Sequence, residues 1–211
     1  MGYAYDQIYL YDAMTNLGEF TEYAHYACDA DLDRTFMCFF ISGYADRFQV
    51  GDPQVVSGMS GTELYQAVMD KCGKGREPYP PALIKYDTDV YYWIGYILAY
   101  AQWLGGQSFK SIIDVVKTDD LMQMYPALHT VSEDRAAEEI LELEKKRSVY
   151  SRLQSYRKRL GYTQAALAEK SGVNLRTLQQ YEVGDKDISK AAAGSVISLA
   201  RALHVEPEAL I

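Results

Sequence analysis

Cysteine is scarce and oddly numbered: Cys28, Cys38 and Cys72 are the only three in 211 residues, and no two stand in a C-x-x-C pair. That excludes a disulfide framework and leaves a reducing compartment as the expectation. Histidine is as rare, and His25, His129 and His204 have none of the paired spacings of a zinc cluster, so no metal site is expected. The sequence has no G-x-S-x-G elbow and no G-x-x-x-x-G-K-[ST] phosphate loop; the G-K-G within CGKGREPYPP lacks the spacing and the preceding strand, and reads as a turn. No catalytic residue and no cofactor is expected, and the enzyme class is set aside. Long apolar runs are missing too. The longest, within DTDVYYWIGYILAYAQWLGG, holds about sixteen residues where a bilayer needs roughly twenty. MGYAYDQIYLYD has no basic stretch before an apolar one, and Asp6 stands where myristoylation requires Ser or Thr, so a cytoplasmic protein with no membrane attachment is expected.

What the chain does have is an ordinary globular composition, 48% apolar and 24% charged, with charge divided unevenly along it. The net charge is −8, yet from Tyr150 onward nine Lys and Arg face six Asp and Glu, a net +3, which leaves −11 on the residues before. A basic tail on an acidic body means that one end can approach a polyanion while the other is repelled.

The periodicity is helical throughout, and an all-α fold is expected. To about residue 30 it predicts two short, tyrosine-crowded helices, broken at Asn16-Leu17-Gly18. The run FMCFFI, behind an acidic start, suits a buried helix better than a central strand. GDPQVVSGMSG reads as loop, with Ser60 or Thr62 capping TELYQAVMDKCG. The most apolar stretch is predicted to be the central helix of an N-terminal domain, bounded by Asp87 and Asp89 at one end and Gly105-Gly106 at the other. Its stripe of Tyr92, Tyr96, Tyr100 and Trp103 is read as core, with an aromatic ligand pocket as the alternative. SFKSIIDVVKTDDLMQMYPALHT predicts two short helices capped by Ser108 and Thr118, and His129 is given a structural role. From Ser132 no glycine or proline occurs before Gly161, which predicts one long helix, acidic early and basic late, with Ala136, Ile140, Leu143 and Tyr150 along a short seam or a packed edge. The expected domains are therefore 1–131, an acidic body for partner binding, sensing or dimerisation; 132–149, a connecting helix; and 150–211.

The stretch YTQAALAEKSGVNLRTLQQYEVG, Tyr162 to Gly184, asks for one particular geometry. Thr163 suits the cap of a first helix, and Gln164 sits at its start, where a phosphate oxygen could accept from it. Leu167 and Ala168 give that helix an apolar face, Ala168 being small where a second helix would come close, and Gly172 stands where the chain must reverse at positive φ. Asn174 is a cap type for the second helix, with Val173 and Leu178 placed as a hydrophobic staple. Leu178 and Tyr181 point inward; Arg176, Gln179 and Gln180 share the outward face. An exposed Arg and two Gln suit the major groove, since Arg can bond guanine O6 and N7 together and Gln can do the same with adenine N6 and N7. Ser189 is expected to open a further helix carrying Val196, Ile197, Leu199, Ala200 and Leu203, with a last turn from Glu206 to Ile211.

These residues resemble the helix-turn-helix of the Cro/C1-type (XRE family) repressors over about sixty residues, from Tyr150 to Ile211. The matching positions are Arg157, Thr163-Gln164, Leu167-Ala168, Gly172-Val173, Leu178, Glu182 and Gly184, followed by SVISLARALHVEPEALI. The resemblance implies a lambda-repressor-like five-helix DNA-binding domain and a partly buried ion pair between Arg157 and Glu182. It also implies contacts to double-stranded DNA from Thr163, Gln164, Asn174, Leu175, Arg176, Gln179, Gln180, Lys186 and Lys190, and a homodimer on a palindromic operator. Leu175 departs from the many relatives with a polar residue there, which leaves a thymine methyl or a place in the core as its alternatives. DKDISKA, after Gly184, is a few residues longer than in many relatives. The expected function is a sequence-specific transcription regulator, in the first instance a repressor. The alternative is an antitoxin-like autorepressor whose N-terminal domain neutralises a partner protein, for which YWIGYILAYAQW and YPALH bear a faint resemblance to uncharacterised regulators encoded beside candidate toxin genes.

Overall fold

The computed structural model describes residues 3–82 and 89–211, except for the side chains of 149–151. The chain divides into two compact units, Met1–Leu141 and Glu142–Ile211. Among the described residues every regular element is helical.

In the first unit α1 (Leu10–Tyr26) is one unbroken helix rather than the expected pair. The residues that read as a break are used in packing. Asn16 is buried and its Nδ2 donates to the Val55 and Met59 carbonyls, 2.8 Å each. Gly18 makes room for a ring, since a Cβ there would lie 2.9 Å from atoms of Tyr92. A helical glycine costs roughly 0.5–1 kcal/mol against alanine; the ring contact offsets it.

The next elements are α2 (Leu32–Ile41), α3 (Tyr44–Phe48), α4 (Pro53–Val56) and α5 (Gly61–Lys71). FMCFFI lies within α2, whose cap is Asp31. GDPQVVSGMSG is not loop alone, because Asp52 caps a single turn with Pro53 at its first position, where a missing N–H costs nothing. Ser60 caps α5 in a reciprocal capping box with Glu63.

The central helix is α6 (Val90–Gly105). Asp89 caps it, its Oδ1 accepting from the Tyr91 N–H at 3.0 Å, while Asp87 lies outside the described residues. α1 crosses α6 at Gly95 so closely that a Cβ there would stand 1.9 Å from the Leu17 carbonyl oxygen. Thr21 Oγ1 donates to the Tyr91 carbonyl at 2.7 Å across the same crossing. The core beside it is a cluster of fully buried phenylalanines, Phe20, Phe36, Phe39, Phe48 and Phe109, meeting at tilted and edge-on angles. Both tryptophans stand on α6 and are buried; Trp103 Nε1 donates to the Tyr5 carbonyl at 2.8 Å.

Ser108 caps α7 (Phe109–Val115) as expected. α8 (Thr118–Leu128) starts one residue early: Lys117 is its cap position, and Thr118 Oγ1 donates to the Asp33 carboxylate instead of capping. His129 ends α8, its Nδ1 2.7 Å from the Tyr125 carbonyl oxygen. The long helix is α9 (Glu133–Arg159). Its first turn is tied to α6 by the Tyr96 and Tyr100 hydroxyls, which donate to Glu133 at 3.3 Å and Asp134 at 2.6 Å. Along its expected seam Ala136 and Ile140 are buried and Leu143 half-buried; the Tyr150 side chain is outside the described set.

The second unit contains the end of α9, α10 (Gln164–Ser171), α11 (Leu175–Val183) and α12 (Ala193–Leu203), with 3-10 turns at Ile188–Lys190 and Pro207–Leu210. α12 begins at Ala193, not at Ser189, because Asp187 draws Ser189 into the first of those turns by accepting from its N–H at 2.9 Å. Leu153, Leu167, Leu178, Ile188, Leu199 and Leu210 close a core that is fully buried within this unit.

Candidate nucleic-acid interface

Two helices are set against each other by capping at each end. Thr163 Oγ1 accepts from the Ala166 N–H at 3.1 Å and starts α10. Gly172 ends it at φ +70°, in the left-handed region, with nothing within 4 Å of where a Cβ would stand. The demand there is conformational rather than steric. Asn174 then caps α11, its Oδ1 accepting from the Arg176 N–H at 2.9 Å. Val173 and Leu178 are both buried, as a staple across this start requires. Ala168 lies in the core between the helices.

The end of α11 is locked to α9 by a two-pronged ion pair. Arg157 Nε donates to Glu182 Oε1 at 2.6 Å and Nη2 to Oε2 at 2.8 Å, with 9% and 0% of the two side chains exposed. The remaining donor, Nη1, reaches the Tyr162 carbonyl at 2.8 Å and so ties in the turn between α9 and α10. Burial alone would raise the Glu182 carboxyl, but hydrogen bonds from Arg157 and Gln164 outweigh it and hold the carboxyl below its ordinary value. The Arg157 guanidinium is held above its usual value, chiefly by its bond to Glu182.

Gln164 is drawn into this network, which its position at a helix start did not announce. Its Nε2 donates to Glu182 Oε2 at 2.9 Å, and its Oε1 accepts from Gln179 Nε2 at 3.4 Å. The amide nitrogen carries a second hydrogen for an acceptor outside. Tyr162 was a second omission, and no sequence signal marks a main-chain acceptor. Gln154, which also helps to hold the Glu182 carboxyl low, was a third; its i, i+3 spacing from Arg157 could have pointed to it.

The outward side of α11 and its neighbours carries the other expected contacts. Asn174, Arg176 and Gln179 are exposed and Gln180 half-buried, so the first turns of the helix present them together. Leu175 is 39% exposed, which takes it out of the core. Thr163 is exposed beside Gln164. Lys186 and Lys190 are exposed past the end of α11, and Lys190 Nζ lies 3.6 Å from the Asp187 carboxylate. The loop between them is pinned by the fully buried Ile188.

Residues 153–210 match the family model described as helix-turn-helix. No curated protein and no solved structure matches the chain. The fold and the match together define the second unit as a helix-turn-helix DNA-binding domain, in a chain whose first unit is also helical. In kind, the domain is a Cro/C1-type (XRE family) helix-turn-helix, and its place is in a DNA-binding regulator. Among the described residues no helix is long and apolar enough to cross a membrane.

Proposed function

We propose that the protein is a sequence-specific repressor that lays α11 in the major groove of an operator. Arg176, Gln179 and Gln180 read base edges, with Leu175 against a thymine methyl; Thr163, Gln164, Asn174, Lys186 and Lys190 hold the phosphate backbone. The observation that carries this reading is the exposed Asn174-Leu175-Arg176 start of α11, with Gln179 on the next turn, held rigid by a cap at one end and the Arg157–Glu182 pair at the other. A rigid mount suits base contacts, because a displaced donor loses its partner. Two copies on a palindrome would set their half-sites about one helical turn apart.

Selection of bound fragments from genomic DNA, followed by gel shifts, tests the reading. Arg176→Ala should cost about 1–3 kcal/mol and relax preference at one base pair, whereas Lys186→Ala should weaken all sequences alike and lower the salt slope by about 1. If Arg176→Ala leaves the preferred sequence unchanged, α11 does not read bases.

A second reading, an antitoxin-like autorepressor whose first unit captures a partner protein, is favoured by Met37 and Ile41, exposed apolar side chains one turn apart on α2. Co-purification with the product of a neighbouring gene, abolished by Ile41→Glu, would support it. A lone dimer with full operator affinity would count against it.

A further inference from the structure

Two of the three cysteines meet inside the first unit, although no spacing in the sequence pairs them. Cys38 lies on α2 and is 2% exposed; Cys72 stands half-buried at the end of α5. Cys72 Sγ donates to the Cys38 carbonyl oxygen at 3.3 Å, across 34 positions of chain. Burial first, and then the Cys38 thiol beside it, push the Cys72 thiol above its ordinary value, against the opposing pull of Lys74 and Lys71. Cys28 is not part of this meeting: its sulfur is engaged by the Tyr65 and Tyr23 hydroxyls.

A buried thiol packs well as a small hydrophobe, and that accounts for Cys38. It does not account for Cys72, which has solvent on one side and turns its sulfur inward onto Cys38. One sulfur of the pair can be reached from outside, and the other waits behind it. That is the arrangement of an attacking and a resolving cysteine.

We propose that Cys38 and Cys72 are an oxidant-responsive pair, closed to a disulfide by a low-molecular-weight disulfide and reopened by excess thiol. Cys72, as thiolate, attacks one sulfur of the small disulfide, and the first small thiolate leaves. Cys38 then attacks Cys72 Sγ and expels the second. Two protein thiols are oxidised, the small disulfide is reduced to two thiols, and the protons the protein gives up end on those thiols. Because the Cys72 thiol is held high, the first step is slow at neutral pH and gains speed as the thiolate fraction rises. A bridge that uses two cysteines of three is a reversible link rather than a framework, and fits a reducing compartment, where disulfides are transient. The pair lies wholly in the first unit and goes beyond the DNA reading, so neither stands or falls with the other.

The folded full chain is incubated with glutathione disulfide, remaining thiols are alkylated, and the peptides are mapped by mass spectrometry. Free thiols should fall from three to one, the monomer should lose about 2 Da, and the bridged peptides should be those of Cys38 and Cys72, with Cys28 alkylated. Dithiothreitol should restore all three. Closure should run about tenfold faster at pH 8 than at pH 7. Cys28→Ala should still bridge, and Cys38→Ala should hold Cys72 as a trapped glutathione adduct. Since Cys38→Ala opens a gap in the core, Cys72→Ser at the half-buried position is the second variant; it should keep the melting point and lose the bridge. A bridge to Cys28, oxidised dimers linked through Cys72, three thiols left after long incubation at pH 8.5 with millimolar oxidant, or a bridged form that melts below the reduced one would each overturn the proposal.

Discussion

Arg157 and Glu182 show how much can hang on two side chains. Each is buried, so each owes its charge to the other, and the pair is stable only as a pair. Glu182→Ala should therefore destabilise the second unit by about 3–5 kcal/mol, because it strands a buried guanidinium. The joint substitution Arg157→Met with Glu182→Leu should recover most of that loss; urea unfolding followed by far-ultraviolet circular dichroism checks both. The depressed carboxyl gives a pH signature of definite sign. A carboxylate whose folded pKa lies below its ordinary 4.5 contributes stability above that value and loses it as pH falls through the folded pKa. The midpoint of the second unit should thus stay level at neutral pH and drop below about 4.5, and Glu182→Gln should remove that part of the drop.

Among the elements, those whose ends are decided by neighbours in sequence were legible and those shaped by distant contacts were not. The helix-turn-helix could be read because Thr163, Gly172 and Asn174 act within a turn of where they stand. The apparent break in α1 was misread because Asn16 and Gly18 serve residues some forty and seventy positions away. Thr118 was given a local cap and went instead to Asp33; the exchange cannot be seen without the fold. The site residues follow the same division: Arg176 and Gln179 were placed by helical spacing alone, whereas the inward bond of Gln164 depends on a partner eighteen residues on.

The same contrast separates two glycines. Gly172→Val should cost about 1–2 kcal/mol from backbone strain at positive φ, with no clash, and should weaken DNA binding by misdirecting α11. Gly95→Ala has an ordinary backbone but no space, so α1 and α6 must part; a loss of about 1–3 kcal/mol in the first unit, with the second unaffected, is the expected outcome of thermal melts.

At the scale of the molecule, the division of charge between +3 and −11 was open to counting, and the long helix α9 followed from the absence of helix breakers before Gly161, whereas the division of the chain between Leu141 and Glu142, inside that helix, has no mark in the sequence. The surroundings of the ring stripe on α6 were not open to counting, because its spacing is the same whether it seals a core or lines a cavity; it is α8 that brings Tyr125 edge-on to Trp93. Operator affinity should fall steeply with added salt, by an amount set by the phosphates the basic unit neutralises.

Both tryptophans sit on α6, so indole light comes from one half of the chain alone. A fluorescence melt of the intact protein will be blind to the half that grips DNA, and its midpoint need not coincide with that of operator release. An experimenter who saw the emission hold steady while the operator let go would be watching a healthy lamp in one room while the other went dark.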